Sequence, residues 1–273
     1  MTTPSDQPGP WGAALPEAPP TIPPTDNRSI SPIALGLLAV WLGCGSALGL
    51  VTAPPAVLTF VFVISGWILA LSVHEFGHAW VAHLAGDTTV EGRGYLTLNP
   101  LKYTDPFMSI IIPVMVLAIG GIGFPGGAVY LRQDLMRSRL WRSAASLAGP
   151  AGTLAVFLLL ALVLAGMRAL NLGGAAVAAV SVLTFLQATA LILNLAPIPG
   201  LDGYGVLRPF IPERLRNALI PLERFAALGF VIALLWLQPV SMVLFGLAGA
   251  LCHLVGVAPA EVILGLKAFQ FWS

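Results

Sequence analysis

The residues whose types and spacing could do chemistry stand together at Leu71-Ser72-Val73-His74-Glu75-Phe76-Gly77-His78, an H-E-x-x-H element inside an apolar run. At 100° per residue, His74 and His78 lie about 40° apart on one helix face, one turn above each other. Both imidazoles can then reach one tetrahedral zinc ion. Glu75 lies beside that face, placed to take a proton from a water that the metal activates and later hand it to a leaving amine. Gly77 is expected to keep the surface beside the metal open. The bland alternative is a set of polar residues satisfied inside a helix bundle. A carboxylate and two histidines within five residues of a membrane helix cost several kcal/mol unless compensated, and a bound cation is the direct compensation.

A catalytic zinc usually takes three protein ligands and keeps one position for water. His83 follows His74 by nine residues, which turns it to the opposite side of the helix, and it reads as a snorkelling end-of-span residue. His253, in the last apolar segment, reads more readily as a hydrogen-bonded bundle residue than as a ligand. Asp202 closes the stretch Asn194-Leu195-Ala196-Pro197-Ile198-Pro199-Gly200-Leu201-Asp202, where prolines break a helix and can turn a carboxylate inward. It ranks first by elimination, and alone the stretch also reads as a plain helix exit and turn.

The elements that must position these residues are membrane helices. The chain is 57% hydrophobic and 9% charged over 273 residues, the balance that several lipid-facing spans produce. Segments near 33–53, 56–84, 143–167, 174–196, 217–237 and 239–257 are each long and apolar enough for a span of about 20 residues. A seventh apolar run, 106–123, carries Pro113 and Gly120-Gly121, breaks that suit a segment entering the bilayer without crossing it. The expected fold is therefore an all-α membrane protein of about six transmembrane helices plus one re-entrant or surface apolar segment. Residues 1–28, rich in Pro, Thr and Ser, read as a disordered tail without signal-peptide features, so the first apolar segment is expected to insert uncleaved. Residues 29–258 form the polytopic domain. Residues 259–273 read as an interfacial helix with Phe269, Phe271 and Trp272 as headgroup anchors.

Arg132, Arg137, Arg139 and Arg142 fill one loop region and Arg208, Arg214, Arg216 and Arg224 another, which places both loops in the cytoplasm. The metal site lies towards the Gly86 end of its span. If 143–167 and 174–196 go across and back, both ends of 106–123 must face that same cytoplasmic side for Asp202 to reach His74. A net charge of +1 and no basic tracts with interleaved aromatics exclude a nucleic-acid partner. Cys44 and Cys252 lack C-x-x-C spacing and read as small packing residues. Gly45-x-x-x-Gly49 permits close helix approach, and Thr184, Gln187 and Thr189 suit interhelical hydrogen bonding.

With these motifs in place, the chain resembles the site-2 protease family of intramembrane zinc metalloproteases. The resemblance rests on His74-Glu75-Phe76-Gly77-His78 and on Asn194-x-x-Pro197-x-Pro199-x-Leu201-Asp202-Gly203, in the family's order and with its intervening span. It covers about residues 57–210, the catalytic core. Leu98-Asn99-Pro100-Leu101-Lys102, Asp105-Pro106-Phe107, Gly120-Gly121-x-Gly123-Phe124 and Leu147-Ala148-Gly149-Pro150 look like a short bacterial branch without an appended peptide-binding domain. The resemblance implies that Asp202 is the third zinc ligand, Glu75 the general base, and Asn194 a residue that holds the substrate or its oxyanion. The chain departs from that branch at Tyr103, where His is typical, at Thr153, where Asn is typical, and at Gly126-Gly127-Ala128-Val129, where a Lys-Pro-Val pattern is typical.

The sequence thus reads as a multi-pass protein of a bacterial plasma membrane with one Zn²⁺ per chain, acting on membrane-spanning protein substrates from the cytoplasmic side. The rival readings are a catalytically silent homologue that binds membrane helices and a metal or solute transporter. Intact Glu75 opposes the first, and the lack of other acidic residues well inside the spans or of an internal repeat opposes the second. No feature of the sequence sets an oligomeric state.

Overall fold

The computed structural model describes residues 30–103 and 129–272. The proline-rich tail 1–28, the apolar run 106–123 and the Asp105-Pro106-Phe107 and Gly120-Gly121-x-Gly123-Phe124 motifs lie outside the described residues. Among the described residues the fold is all-helical, without strands. Its helices are α1 (Pro32–Leu48), α2 (Ala56–Ala85), the single turn α3 (Thr89–Gly92), α4 (Arg139–Ala169), α5 (Ala175–Leu195), the short α6 (Asp202–Leu207), α7 (Glu213–Trp236), α8 (Gln238–Leu254) and α9 (Pro259–Phe269).

Helices α2, α4 and α5 are long and apolar enough to cross a membrane. Helices α1 and α8 are apolar but have 17 residues each, about 25 Å against a hydrocarbon core of about 30 Å. The segment expected over 33–53 stops at Leu48 because Gly49 caps it and Pro54-Pro55 follow. Helix α5 is apolar all round and buried along nearly its whole length, which makes it the centre of the bundle. Around it, Phe62, Val63 and Trp67 of α2, Phe157, Leu160 and Leu164 of α4, and Ala248 and Cys252 of α8 complete the main core.

Lipid tails are as apolar as leucine, so close packing rather than water exclusion must join these helices. Glycines supply it. A Cβ on Gly77 of α2 would sit 2.5 Å from the carbonyl oxygen of Ala148, and one on Gly152 of α4 would sit 3.0 Å from that of Val73. Gly77 therefore lets two backbones meet and does not keep a surface open, as the motif alone had suggested. Gly45 packs on Phe62, whereas Gly49 is the cap of α1.

The loops sort to two ends of the bundle. At one end, Gly174 lies against the backbone of Thr52, and Arg168 pairs with Glu261 at 2.7 Å. At the other, Gly86 ends α2 in the left-handed conformation at φ +118°, and the amide of Arg137 donates to the carbonyl of Ala85 at 3.0 Å. The chain before 104 and after 128 thus returns to the same end of α2.

Helix α9 differs from the expected surface anchor. Its Gly265 presses on the carbonyl of Ala178 in α5, and Phe269 is fully buried, stacked on Phe60 with ring centroids 5.5 Å apart. Phe271 and Trp272 remain about half exposed. Thr184 donates back to Val180 and Thr189 to Leu186, one turn earlier in their own helix.

Candidate metal centre

Helical spacing sets His74 and His78 one turn apart on α2, with Nε2 atoms 3.1 Å from each other. The third group arrives from α6. Helix α5 ends at Leu195, Gly200 turns the loop at φ +94°, and Asp202 opens α6. A Cβ on Gly203 would lie 2.6 Å from the carbonyl oxygen of Ala196, so only glycine lets this turn fold back on the end of α5. Ser143 of α4 donates to the carbonyl of Val206 at 2.9 Å and fastens α6 from the other side. Asp202 Oδ2 then lies 3.2 Å from His74 Nε2 and Oδ1 3.2 Å from His78 Nε2.

The donor set fits zinc. Four ligands at about 2.0–2.1 Å in a tetrahedron are separated by about 3.3 Å; the two Nε2 atoms stand 3.1 Å apart and each lies 3.2 Å from one Asp202 oxygen, Oδ2 for His74 and Oδ1 for His78. His78 Nδ1 lies 2.7 Å from the carbonyl oxygen of Ala145, which can only accept. Its ring proton therefore sits on Nδ1 and the Nε2 lone pair faces Asp202. His74 Nδ1 lies 2.9 Å from the hydroxyl of Thr153; when that oxygen accepts from Nδ1–H, Nε2 is freed in the same way. Lone pairs converging with a carboxylate call for a cation between them.

Helix α4 forms the wall behind the two rings. A Cβ on Gly149 would fall 2.7 Å from His74 Nε2 and closer still to His78 Nε2, so a bare backbone is required there. Glu75 is buried next to the cluster, and its Oε2 accepts from the amide of Val129 at 3.2 Å. The segment that carries Val129 is itself tied to the end of α2. Asp87, fully buried, accepts from the Arg132 amide at 2.7 Å and from the amide and hydroxyl of Thr89, and Arg93 donates to the carbonyl of Tyr130 at 3.1 Å.

Among the described residues, His74, His78 and Asp202 are the His, Cys, Asp or Glu side chains that converge as a possible metal site. His83 and His253 stand apart from it. His253 is exposed in the last turn of α8, which corrects its reading as a hydrogen-bonded bundle residue. Asn194 is buried on α5 and lines a small pocket beside His74. The sequence reading assigned no role to Ala145, Gly149, Asp87 or the Val129 amide, although Gly149 and Val129 stand in stretches singled out there; Asp87 left a local signal in an Asp-x-Thr turn directly after the helix. Tyr103 and Thr153, singled out as departures, brace α2: the Tyr103 hydroxyl donates to the carbonyl of Ser72 at 3.0 Å and Thr153 meets His74.

The Mycolicibacterium smegmatis protein titled "Putative zinc metalloprotease Rip2" is 45% identical to the chain over 251 residues, 89% of this chain and 94% of that protein. The chain belongs to the site-2 protease family of zinc metalloproteases. A Mycobacterium tuberculosis protein of the same title is 42% identical over 249 residues, again 89% of this chain and 94% of that protein. A Bacillus subtilis relative titled "Putative zinc metalloprotease YwhC" is 30% identical over 177 residues, 63% of this chain and 78% of that protein. No family model and no solved structure matches the chain. Family membership together with three long apolar helices makes it a membrane metalloprotease.

Proposed function

We propose that the chain is an intramembrane zinc endopeptidase that binds one Zn²⁺ on His74, His78 and Asp202 and hydrolyses peptide bonds of membrane-spanning proteins, with Glu75 as general base. The observation that carries this reading is the convergence of one donor atom from each of His74, His78 and Asp202, within 4.8 Å of one another, beside a buried carboxylate. When bound, zinc in such a site supplies Lewis acidity towards water and a peptide carbonyl.

The protein's own groups supply the rest. The Val129 amide fixes the orientation of the Glu75 carboxylate, which takes the proton from the attacking water and returns it to the departing amine. Ala145 and Thr153 hold the imidazoles with Nε2 inward. Gly149 leaves room for the ion. A role for Asn194 in holding the substrate or its oxyanion rests on the family resemblance. Residues 29–258 form the protease domain of about six spans in a bacterial plasma membrane, the basic loops and the metal face the cytoplasm, and α1 and α8 reach across with their flanking residues.

The test is cleavage of a membrane-spanning reporter by the full chain in lipid vesicles. The wild type cuts it within the span and Glu75→Gln does not. Undiminished cutting by Glu75→Gln would remove Glu75 from the reaction.

A further inference from the structure

Behind His74, a small, partly open pocket lined by Trp67, Ala70, Leu71, Thr153, Gln187, Ala190 and Asn194 has room for about one water molecule. Neither Glu75, His78 nor Asp202 lines it, so it is separate from the space between the metal donors. Trp67 is 3% exposed, Gln187 2% and Thr153 3%. The indole Nε1 of Trp67 and the amide Nε2 of Gln187 are both buried without a hydrogen-bond partner among the described residues. Two orphaned donors on one pocket inside an apolar bundle are costly. Thr153 presents a third donor there. When its oxygen accepts from His74 Nδ1–H, its own hydroxyl hydrogen must go elsewhere.

We propose that this pocket is a site for one structural water, held by Gln187 and Thr153, which fixes His74 in the tautomer that binds metal. A water offers two acceptor lone pairs and two hydrogens, and a buried one typically makes about three hydrogen bonds. Here its two lone pairs accept from Gln187 Nε2 and the Thr153 hydroxyl, and it donates towards the carboxamide oxygen of Asn194. With the Thr153 hydroxyl hydrogen committed to the water, the Thr153 oxygen can only accept from His74, which keeps the His74 Nε2 lone pair towards the ion. Gln187 and Thr153 are thus positioning residues that act through His74. The proposal rests on His74 being a zinc ligand.

The experiment uses the full chain with Gln187→Leu, Thr153→Val and Thr153→Ser and reads zinc release to a chelator alongside the melting temperature of the metal-free protein. An experimental structure of the metal-free wild type resolves the pocket. The proposal expects density for one water within hydrogen-bond distance of Gln187 Nε2 and Thr153 Oγ1. It expects zinc release about 10-fold faster or more in Gln187→Leu and Thr153→Val, near wild-type release in Thr153→Ser, and no rise in the metal-free melting temperature of Gln187→Leu. A dry pocket gives the opposite pattern, with Gln187→Leu melting higher because an unpaired amide is gone and releasing zinc at the wild-type rate. That pattern, or an empty pocket in the structure, overturns the proposal. If the wild type takes up no zinc, the zinc reading of His74 fails, and the tautomer-fixing role proposed here fails with it. The pocket density then decides whether the water itself is present.

Discussion

Gly149→Ala replaces no proposed ligand and yet should abolish tight zinc binding. The added Cβ would lie 2.5 Å from His78 Cε1 and 2.7 Å from His74 Nε2, where ordinary contact begins at 3.4 Å. The rings must retreat by about 0.7–0.9 Å at least, several times the ±0.2 Å that metal–ligand distances tolerate. Loss of good coordination from one imidazole is expected to lower zinc affinity about 100-fold, or about 2.7 kcal/mol. The fold should survive, because overpacking costs about 1–3 kcal/mol while alanine in place of a helical glycine returns about 0.8–1 kcal/mol. The assay is zinc titration against a chromophoric chelator, with the metal-free melting temperature measured in parallel. Gly43→Ala is the control, since nothing lies within 4 Å of a Cβ there. A folded Gly149→Ala protein with wild-type zinc affinity would refute the account of α4 as the wall of the site.

Asp87→Asn should lose about 1.5–3 kcal/mol, since a fully buried carboxylate accepting three hydrogen bonds becomes an amide facing donors. Its turnover should fall with zinc content unchanged, because the segment carrying Val129 to Glu75 is released; single-turnover assays and metal analysis check both. Tyr103→Phe should cost about 1 kcal/mol in a thermal melt by deleting the bond to Ser72 and leave zinc in place. Single cysteines at 93, 102, 134 and 208 in a cysteine-free background should be protected from an impermeant reagent on intact cells and one at 171 should react. Labelling at 93 with protection at 134 would contradict the meeting of Ala85 and Arg137 at one end of the bundle.

The bundle's central helices were legible because long apolar runs have few other uses: the segments read at 56–84, 143–167 and 174–196 differ from α2, α4 and α5 by at most four residues at an end. His74 and His78 were legible from a spacing that helical geometry makes unambiguous. Asp202 was less so, because its place depends on a loop whose path is set by contacts of Gly203 and Ser143 with distant backbone. Gly149 and Ala145 carry no chemistry of their own, and their importance exists only once α4 lies against α2. Phe269 misled for a related reason. An aromatic near the end of the chain looks like a headgroup anchor until Gly265 allows α9 to sink against α5.

The central claim is that three side chains from two helices hold one zinc ion and that a fourth does the proton transfer without holding it. Zinc content per chain, measured on purified wild type, His74→Ala, His78→Ala, Asp202→Ala and Glu75→Gln, tests this most directly. The account predicts about one zinc in the wild type and in Glu75→Gln and little in the other three. Undiminished zinc in Asp202→Ala, or its loss in Glu75→Gln, would contradict it.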